Sequence, residues 1–341
     1  MHRMLLIVVG AIIISLGPLF GQGPTLTGAG YAYPVPIRVA PGQITTLFVT
    51  GLKTVLPQPV KAMSLPLPNS LAGISVTITQ PVSTQSSQSY SVPLLAVQQI
   101  LNCNSGGQPQ PGAFTPDCLV SAVTVQIPYE IVVPGGPIGP PLGPAEIVVA
   151  EGGAASKSFL MNPPVTDNLH VLTTCDAFPP EQVIGNSCNA VVTHADGTLV
   201  TAASPAKAGE EIVIYAFGLG QTSPAVKTGA VTPTPAPVLA GNRLVYVQFD
   251  FRPNAAPSPP YFNPLILAPF VPGALFAGLT PGQVGLYQIN VRIPSSLPAL
   301  GSCSVGAQPG FPYNNVLSNL TIDLSGLNSF DGAAICVAPM Q

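Results

Sequence analysis

Short apolar runs separated by proline and glycine dominate this chain, and they constrain its fold more than any other feature. The 341 residues include 42 prolines and 34 glycines, which are spread along the chain rather than concentrated in one tract. Both residue types interrupt helices and favour turns. The run closest to a helical period, 91–101 (SVPLLAVQQIL), suits a strand or one helical turn equally. The pattern therefore predicts an all-β fold.

Nine apolar runs have the length, alternation and β-branched content that are typical of strands. They are 44–49, 74–79, 123–127, 147–150, 189–193, 211–217, 244–251, 286–293 and 317–324. Asp196-Gly197, between two apolar pairs, predicts a hairpin turn. Short strands at this spacing indicate a β-sandwich architecture.

The two halves of the chain share two aligned segments. Residues 41–52 (PGQITTLFVTGL) align with 208–219 (AGEEIVIYAFGL), and 125–128 (VQIP) aligns with 291–294 (VRIP). The first pair is offset by 167 residues and the second by 166, so the register is kept over a long stretch. We interpret this as two tandem copies of one sandwich, with domains at 23–165 and 166–341.

The first 22 residues have the layout of a secretory signal peptide. A basic start is followed by an apolar run at 5–16, a Gly17-Pro18 break and a small residue at Gly21. The alternative is an uncleaved membrane anchor, but the run is shorter than the ~20 residues that span a bilayer. We expect cleavage near Gln22 and an exported, secreted or cell-surface protein, with no membrane span in the mature chain.

Charged residues make up only 7% of the chain, and the formal net charge is −3. A nucleic-acid-binding protein needs a clustered basic face, so that class is excluded. A surface with so few charges favours a neutral glycan or a packed protein neighbour over an ionic partner. We therefore expect a polysaccharide or another envelope or extracellular protein as partner.

The six cysteines fit an exported protein. They are Cys103, Cys118, Cys175, Cys188, Cys303 and Cys336. Six cysteines allow 15 pairings, and proximity favours Cys103–Cys118, Cys175–Cys188 and Cys303–Cys336. No close pair such as CxxC is present, which argues against a metal site.

Two segments of the second half resemble a known family. They are 204–220 (SPAKAGEEIVIYAFGLG) and 275–294 (LFAGLTPGQVGLYQINVRIP), with a shorter match at 189–199. Together they look like the uncharacterised C-terminal domain family described from Solibacter-type acidobacterial secreted proteins. Its members are similar to the IPT/TIG type of Ig-like sandwich. The resemblance covers about 166–341, and the first half resembles the Ig-like domain that often precedes it.

This resemblance implies two Ig-like sandwiches and assigns no catalytic residue. The chain departs from the family pattern in its Pro-rich insertions at 232–239 and 252–264 and in Cys303 and Cys336.

The candidate binding surface is a row of polar residues on the predicted strand 286–293. Alternate residues of a strand face opposite sides, so Gln288, Asn290 and Arg292 share the side away from the apolar residues. Such a row can hydrogen-bond a glycan or a partner strand, and a solvated sheet face is the simpler alternative. The matched positions in the first half are Ala122, Thr124 and Gln126.

No assembled catalytic, cofactor or metal site is predicted. His170 and His194 are the histidines that follow the signal segment, no G-x-S-x-G elbow is present, and we expect His194 to be an exposed turn residue. The neighbours Glu210 and Glu211 are expected to point to opposite faces. Asp196-Gly197 and Asp331-Gly332 are expected to form turns rather than calcium loops. We interpret Gly218-Leu219-Gly220 as the exit from a central strand rather than a nucleotide loop.

The sequence thus favours a non-enzymatic, secreted or surface Ig-like module with a structural, adhesive or binding role. One alternative is an extracellular carbohydrate-active hydrolase that uses loop carboxylates. Another is a subunit of an extracellular polymer, for which exposed strand edges would be the indication.

The disulfide hypothesis predicts that the exported protein has no free thiol. Mass mapping of non-reduced peptides is expected to recover the three neighbour pairs. A peptide linking Cys103 to Cys336 would contradict both the pairing and the division into two domains.

Overall fold

The computed structural model describes residues 24–30, 34–35, 38–83, 85–101, 119–133, 144–162, 164–177, 189–251, 272–299, 318–324 and 330–339. The predicted signal segment and Cys103, Cys118, Cys188 and Cys303 lie outside these ranges, as does the insertion 252–264. The described chain is all-β, as predicted. Its one described α-helix is the single turn α1 (Thr174–Ala177).

The strands follow one another along the chain with short connections. They are β1 (Thr25–Gly30), β2 (Pro34–Val35), β3 (Ile44–Thr50), β4 (Val60–Lys61), β5 (Ser70–Leu71), β6 (Ile74–Pro81), β7 (Ser87–Val92), β8 (Leu94–Leu101), β9 (Leu119–Gln126), β10 (Ala145–Glu151), β11 (Ala154–Ala155), β12 (Phe159–Met161), β13 (His170–Val171), β14 (Val192–His194), β15 (Glu211–Phe217), β16 (Thr222–Ser223), β17 (Val238–Leu239), β18 (Val245–Asp250), β19 (Phe276–Leu279), β20 (Tyr287–Arg292), β21 (Ser318–Leu324) and β22 (Phe330–Ile335).

Residues 24–162 contribute two sheets that enclose one hydrophobic cluster. One sheet has the order β2-β1-β3-β9-β8-β4. The other has the order β11-β10-β6-β5, with β12 paired to β10 and β7 paired to β6. The strand β6 alternates buried and half-buried residues along its whole length, which is the pattern of a strand with one face on a core.

Residues 164–339 contribute two further sheets. The larger has the order β13-β15-β20-β19-β17-β16, with β14 also paired to β15, and the smaller has the order β18-β21-β22. The apolar sides of β15 and β20 are fully buried in a second hydrophobic cluster, as the sequence alternation predicts. The hairpin predicted at Asp196-Gly197 is confirmed, because the His194 amide bonds the Thr198 carbonyl across the turn (2.8 Å).

The two aligned sequence segments fold into turns with the same hydrogen bonds. Gly42 and Gly209 both have left-handed backbone conformations, with φ of 75° and 74°. The Gly42 amide donates to the carbonyl of Ile127 (3.0 Å), and the Gly209 amide donates to that of Ile293 (3.1 Å). Each turn leads into a strand, β3 or β15, that pairs antiparallel with β9 or β20.

The two parts of the chain meet at a close-packed junction. We define this junction as residues 38–43 and 126–130 against residues 165–168, 218–221, 228–229 and 285. The Gln126 Oε1 atom accepts the buried amide of Gly229 (2.6 Å), and Asn168 Nδ2 donates to the carbonyl of Arg38 (2.8 Å). A Cβ atom at Gly285 would lie 3.0 Å from Gln126 Nε2, so this approach requires glycine.

A buried ion pair holds the connecting segment at the junction. The Asp167 side chain is fully buried and accepts a hydrogen bond from the Arg243 guanidinium. The same guanidinium donates to the Leu219 carbonyl (2.8 Å). A buried carboxylate is tolerated only when it is paired in this way, and removing one partner leaves an uncompensated charge.

Tyr129 is the apolar anchor of the junction. It belongs to the end of the first part, yet its ring packs in the hydrophobic cluster of the second, where Tyr287 is fully buried. Burial raises the pKa of Tyr129 to about 12, and the neighbouring Tyr287 hydroxyl partly offsets that rise. The Tyr287 hydroxyl itself donates to the Gly220 carbonyl.

We predict that Tyr129→Ala lowers the free energy of unfolding by about 3–5 kcal/mol, the usual cost of truncating a buried aromatic side chain. Tyr129→Phe is the matched control. This variant keeps the ring and removes only one hydroxyl, so it is expected to change stability by about 1 kcal/mol or less. Urea unfolding followed by circular dichroism measures both, and equal losses in the two variants would contradict the packing role of the ring.

Candidate functional site

The predicted polar row lies on the outer face of the largest C-terminal sheet. Gln288 and Asn290 are half-buried and Arg292 is exposed, while the alternate residues of β20 are fully buried. The predicted side assignment of this strand is therefore confirmed. The row does not stand alone, because β15 places its own outward residues directly beside it.

We name this surface the β15–β20 face and define it by the outward residues of the two strands. The register pairs Glu211 with Arg292, Val213 with Asn290, and Tyr215 with Gln288. Strand β19 adds the half-buried Phe276 next to Asn290. The face thus combines two amides, one acidic and one basic residue, and two aromatic residues.

Hydrogen bonds hold the amides of the face in fixed orientations. Gln288 Nε2 donates to Asn290 Oδ1 (3.2 Å), and Asn290 Nδ2 donates to Glu211 Oε1 (3.2 Å). These bonds use only part of the donor and acceptor capacity of each amide. The remaining N–H and carbonyl groups can bond the hydroxyls of a neutral ligand, while a partly exposed tyrosine ring offers a stacking surface.

Sequence reasoning located the β20 half of the face and missed the β15 half. Glu211 and Tyr215 carried a detectable signal, since they alternate with the buried Ile212, Ile214 and Ala216. What the sequence did not reveal was that β15 and β20 are neighbours, and only that pairing brings Glu211 within reach of Asn290.

The expectation of an exposed His194 is wrong. Its side chain is only 12% exposed, and its Nδ1 atom lies 2.5 Å from Glu210 Oε1. The Nε2 atom lies 3.1 Å from the carbonyl oxygen and 3.2 Å from Oγ of Ser204. The Glu210 hydrogen bond raises the pKa of His194, which favours the doubly protonated ring.

The side chains of Ser204, His194 and Glu210 follow the order of a hydrolase triad. Their hydrogen bonds, however, are those of a cluster that holds neighbouring turns together. A general base needs a free Nε2 lone pair facing the nucleophile. The raised pKa favours an N–H at that position, which the Ser204 carbonyl accepts. Glu210 also accepts the Lys207 amide (2.7 Å), so the cluster ties three turns together. Glu211 points instead to the β15–β20 face, so the expected divergence of the two glutamates is confirmed.

His170 forms a second cluster, with two carboxylates. Its Nε2 atom lies 2.9 Å from Asp176 Oδ2 and its Nδ1 atom 3.0 Å from Asp331 Oδ2. Burial opposes protonation, but the two carboxylates outweigh it and raise the pKa of His170 to about 9. The cluster joins β13, α1 and β22, and Asp331 also accepts the Val171 amide (2.8 Å).

The expected turn at Asp331-Gly332 is wrong. Both residues lie inside β22, where Asp331 pairs with Ile322 and Gly332 with Thr321 of β21. Cross-strand pairing overrides the local turn preference of this dipeptide. By contrast, Asp196 lies in the expected turn, where its carboxylate accepts the Thr198 amide (2.9 Å).

The glycines at 218 and 220 lie at the end of β15, as expected. Gly218 has φ of 76°, and a Cβ atom there would lie 2.1 Å from the Asn168 carbonyl oxygen. They therefore permit the close approach of the connecting segment.

Within the described residues, no group of three or more histidine, cysteine, aspartate or glutamate side chains is arranged to hold a metal ion. Over the same ranges, no helix is long and apolar enough to cross a membrane. Cys336 is buried, and the side chains of the other five cysteines lie outside what the structure describes. The three pairings therefore stay predictions. Comparison with known proteins gives no matching family model and no matching curated protein.

We predict that the His170 cluster makes stability pH-dependent on the alkaline side. The folded-state pKa of about 9 lies above the unfolded value of about 6.5. The contribution of His170 is therefore complete below pH ~6.5 and is lost as the pH rises through about 9, by about 3 kcal/mol at most. His170→Gln is expected to flatten this limb in urea titrations at several pH values. His194→Gln is the comparison, because His194 has one carboxylate partner instead of two, and it is expected to flatten the limb less. A His170→Gln profile parallel to wild type would contradict the account.

Proposed function

We propose that the chain is a secreted or cell-surface protein of two tandem Ig-like sandwiches, and that it binds through the β15–β20 face without catalytic turnover. We also propose that it belongs to the Solibacter-type family that its second half resembles. The matching turns at Gly42 and Gly209 support the tandem arrangement. The export proposal depends on the N-terminal sequence pattern.

The proposed binding role is based on the β15–β20 face. Its amides are held by hydrogen bonds on a sheet whose opposite side is fully buried, so little side-chain freedom is lost on binding. Amides next to a partly exposed aromatic ring match the alternating hydroxyls and apolar patches of a sugar. We therefore propose a neutral polysaccharide as the ligand, with an envelope protein as the alternative.

The hydrolase alternative lacks support from the described side chains. Asp176 and Asp331 are brought to one site, but both carboxylates are engaged by His170. A glycosidase needs one protonated and one free carboxyl group flanking the substrate. The protonated His170 instead stabilises the ionised form of Asp176, and the pKa of that carboxyl is lowered.

We predict that Arg292→Ala and Asn290→Ala each weaken polysaccharide binding about tenfold, since each removes a hydrogen-bonding group worth roughly 1–2 kcal/mol. Affinity electrophoresis against a panel of neutral polysaccharides measures this. Arg38→Ala is the matched control, because Arg38 is equally exposed but lies at the junction. Retention unchanged in both face variants, or turnover of a polysaccharide that a single carboxylate substitution abolishes, would contradict the proposal.

A further inference from the structure

Strand β7 is an exposed edge that the proposed binding role does not use. Among the described residues it pairs with β6 alone. Ser87, Gln88, Ser89 and Ser91 are exposed, while Tyr90 and Val92 are buried. Six other sheet ends are two-residue strands, β2, β4, β11, β5, β13 and β16, while the three-stranded sheet ends in the six-residue strands β18 and β22. Short terminal strands protect a sheet from strand addition, and β7 lacks that protection.

The hydrogen-bond alternation shows which backbone groups β7 presents. The Val82 amide donates to the Ser86 carbonyl (2.9 Å), so this pair is hydrogen-bonded. Bonded and non-bonded pairs alternate along an antiparallel ladder. Residues 88, 90 and 92 therefore direct their N–H and carbonyl groups to β6. Residues 87, 89 and 91 direct theirs to the open edge.

The short side-chain contact at Ser89 agrees with this assignment. Ser89 Oγ lies 2.8 Å from Thr79 Oγ1 on β6. Non-bonded pairs bring opposing side chains closer than bonded pairs do. Ser89 and Thr79 of β6 thus form a non-hydrogen-bonded pair, and the N–H and carbonyl groups of Ser89 face the open edge.

The edge also lacks the charges that normally prevent pairing. No Asp, Glu, Lys or Arg occurs between Lys61 and Asp117. Charged residues, proline and bulges are the usual means of blocking an exposed edge. Proline enters at Pro93, directly after β7, and the pairing of β7 with β6 is regular throughout.

We propose that β7 is a dimerisation edge, to which a second copy of this chain adds its own β7 antiparallel about a two-fold axis at Ser89. The spacing of the outward groups is symmetric about that residue. An antiparallel copy therefore places Ser87 opposite Ser91 and Ser89 opposite its own counterpart, and every outward N–H meets an outward carbonyl. Small uncharged side chains meet on the solvent side, so no like charges repel each other across the new strand pair.

A second copy fits this edge better than a charged peptide, which would find no complementary charge between Lys61 and Asp117. The two-fold arrangement is closed, so it gives dimers rather than fibres. A single strand pair buries less surface than a standard protein interface, and the dissociation constant is therefore on the order of micromolar or weaker.

The test is sedimentation velocity of the purified full chain over a concentration series, up to the solubility limit. Wild type is expected to shift from monomer to dimer. Ser89→Lys places like charges opposite each other, and Ser89→Pro removes an outward N–H that β6 does not use. Each is expected to raise the dimer dissociation constant roughly tenfold or more. Gln85→Lys adds the same charge in the exposed hairpin loop and is expected to leave the dimer unchanged.

Three outcomes would overturn the proposal. They are a wild-type protein that stays monomeric at every concentration, a dimer that persists in Ser89→Lys, and a dimer that Gln85→Lys disrupts equally. Circular dichroism confirms that each variant folds, and Ser89→Lys decides the case if Ser89→Pro does not fold. Ser89 lies outside the β15–β20 face, so this result is independent of polysaccharide binding.

Discussion

The insertion of Tyr129 into the C-terminal core is the interaction on which the arrangement of the whole molecule depends. The residue follows the end of β9, and its ring crosses into the hydrophobic cluster of the other part of the chain. Gly42 makes room for it, because a Cβ atom there would lie only 2.0 Å from the Tyr129 ring. At the matched turn in the second half, a Cβ atom on Gly209 would meet only Ser295 Cβ among the described atoms, at 3.9 Å. The same type of turn thus receives the Tyr129 ring in the first half and lies next to the exposed Ser295 in the second.

Polar groups complete the junction around this anchor. Gln126 and Arg243 bond the amide of Gly229 and the carbonyl of Leu219, which would otherwise be buried without a partner, and Asn168 bonds the exposed carbonyl of Arg38. An unsatisfied buried polar group costs about 1–3 kcal/mol, so this network resists separation of the two parts. The β15–β20 face belongs to the sheet that receives Tyr129, and the buried side of that sheet is fixed by the same packing.

The strand content of the chain could be predicted because apolar and polar residues alternate along each strand, and this alternation is visible in a short stretch of sequence. The run that became β20 is an example, since its inward and outward residues were both assigned correctly. Strand β7 was missed because SQSYSV has too few apolar residues to show a period, and only pairing with β6 makes it a strand. The run that became β8 was ambiguous because its Pro93 and its valine content suit a strand and one helical turn equally.

Contacts between residues distant in sequence account for the other features that the sequence did not predict. His194 meets Glu210 and His170 meets Asp331 only after the sheets form, so neither cluster has a local signature. Asp331-Gly332 has the composition of a turn, but β21 holds it in a ladder. The role of Tyr129 was equally hidden, because the aligned segments of the two halves end just before it.

Hydrogen exchange at the Gly229 amide tests the central claim, that the two parts of the chain form one packed unit. This amide lies outside the strands, and within the described part of the chain its hydrogen bond runs to the Gln126 side chain across the junction. If the junction is closed in solution, the amide is expected to exchange as slowly as the core amides of β15. Exchange at the rate of an exposed loop, with β15 still protected, would show that the parts separate and would contradict the account.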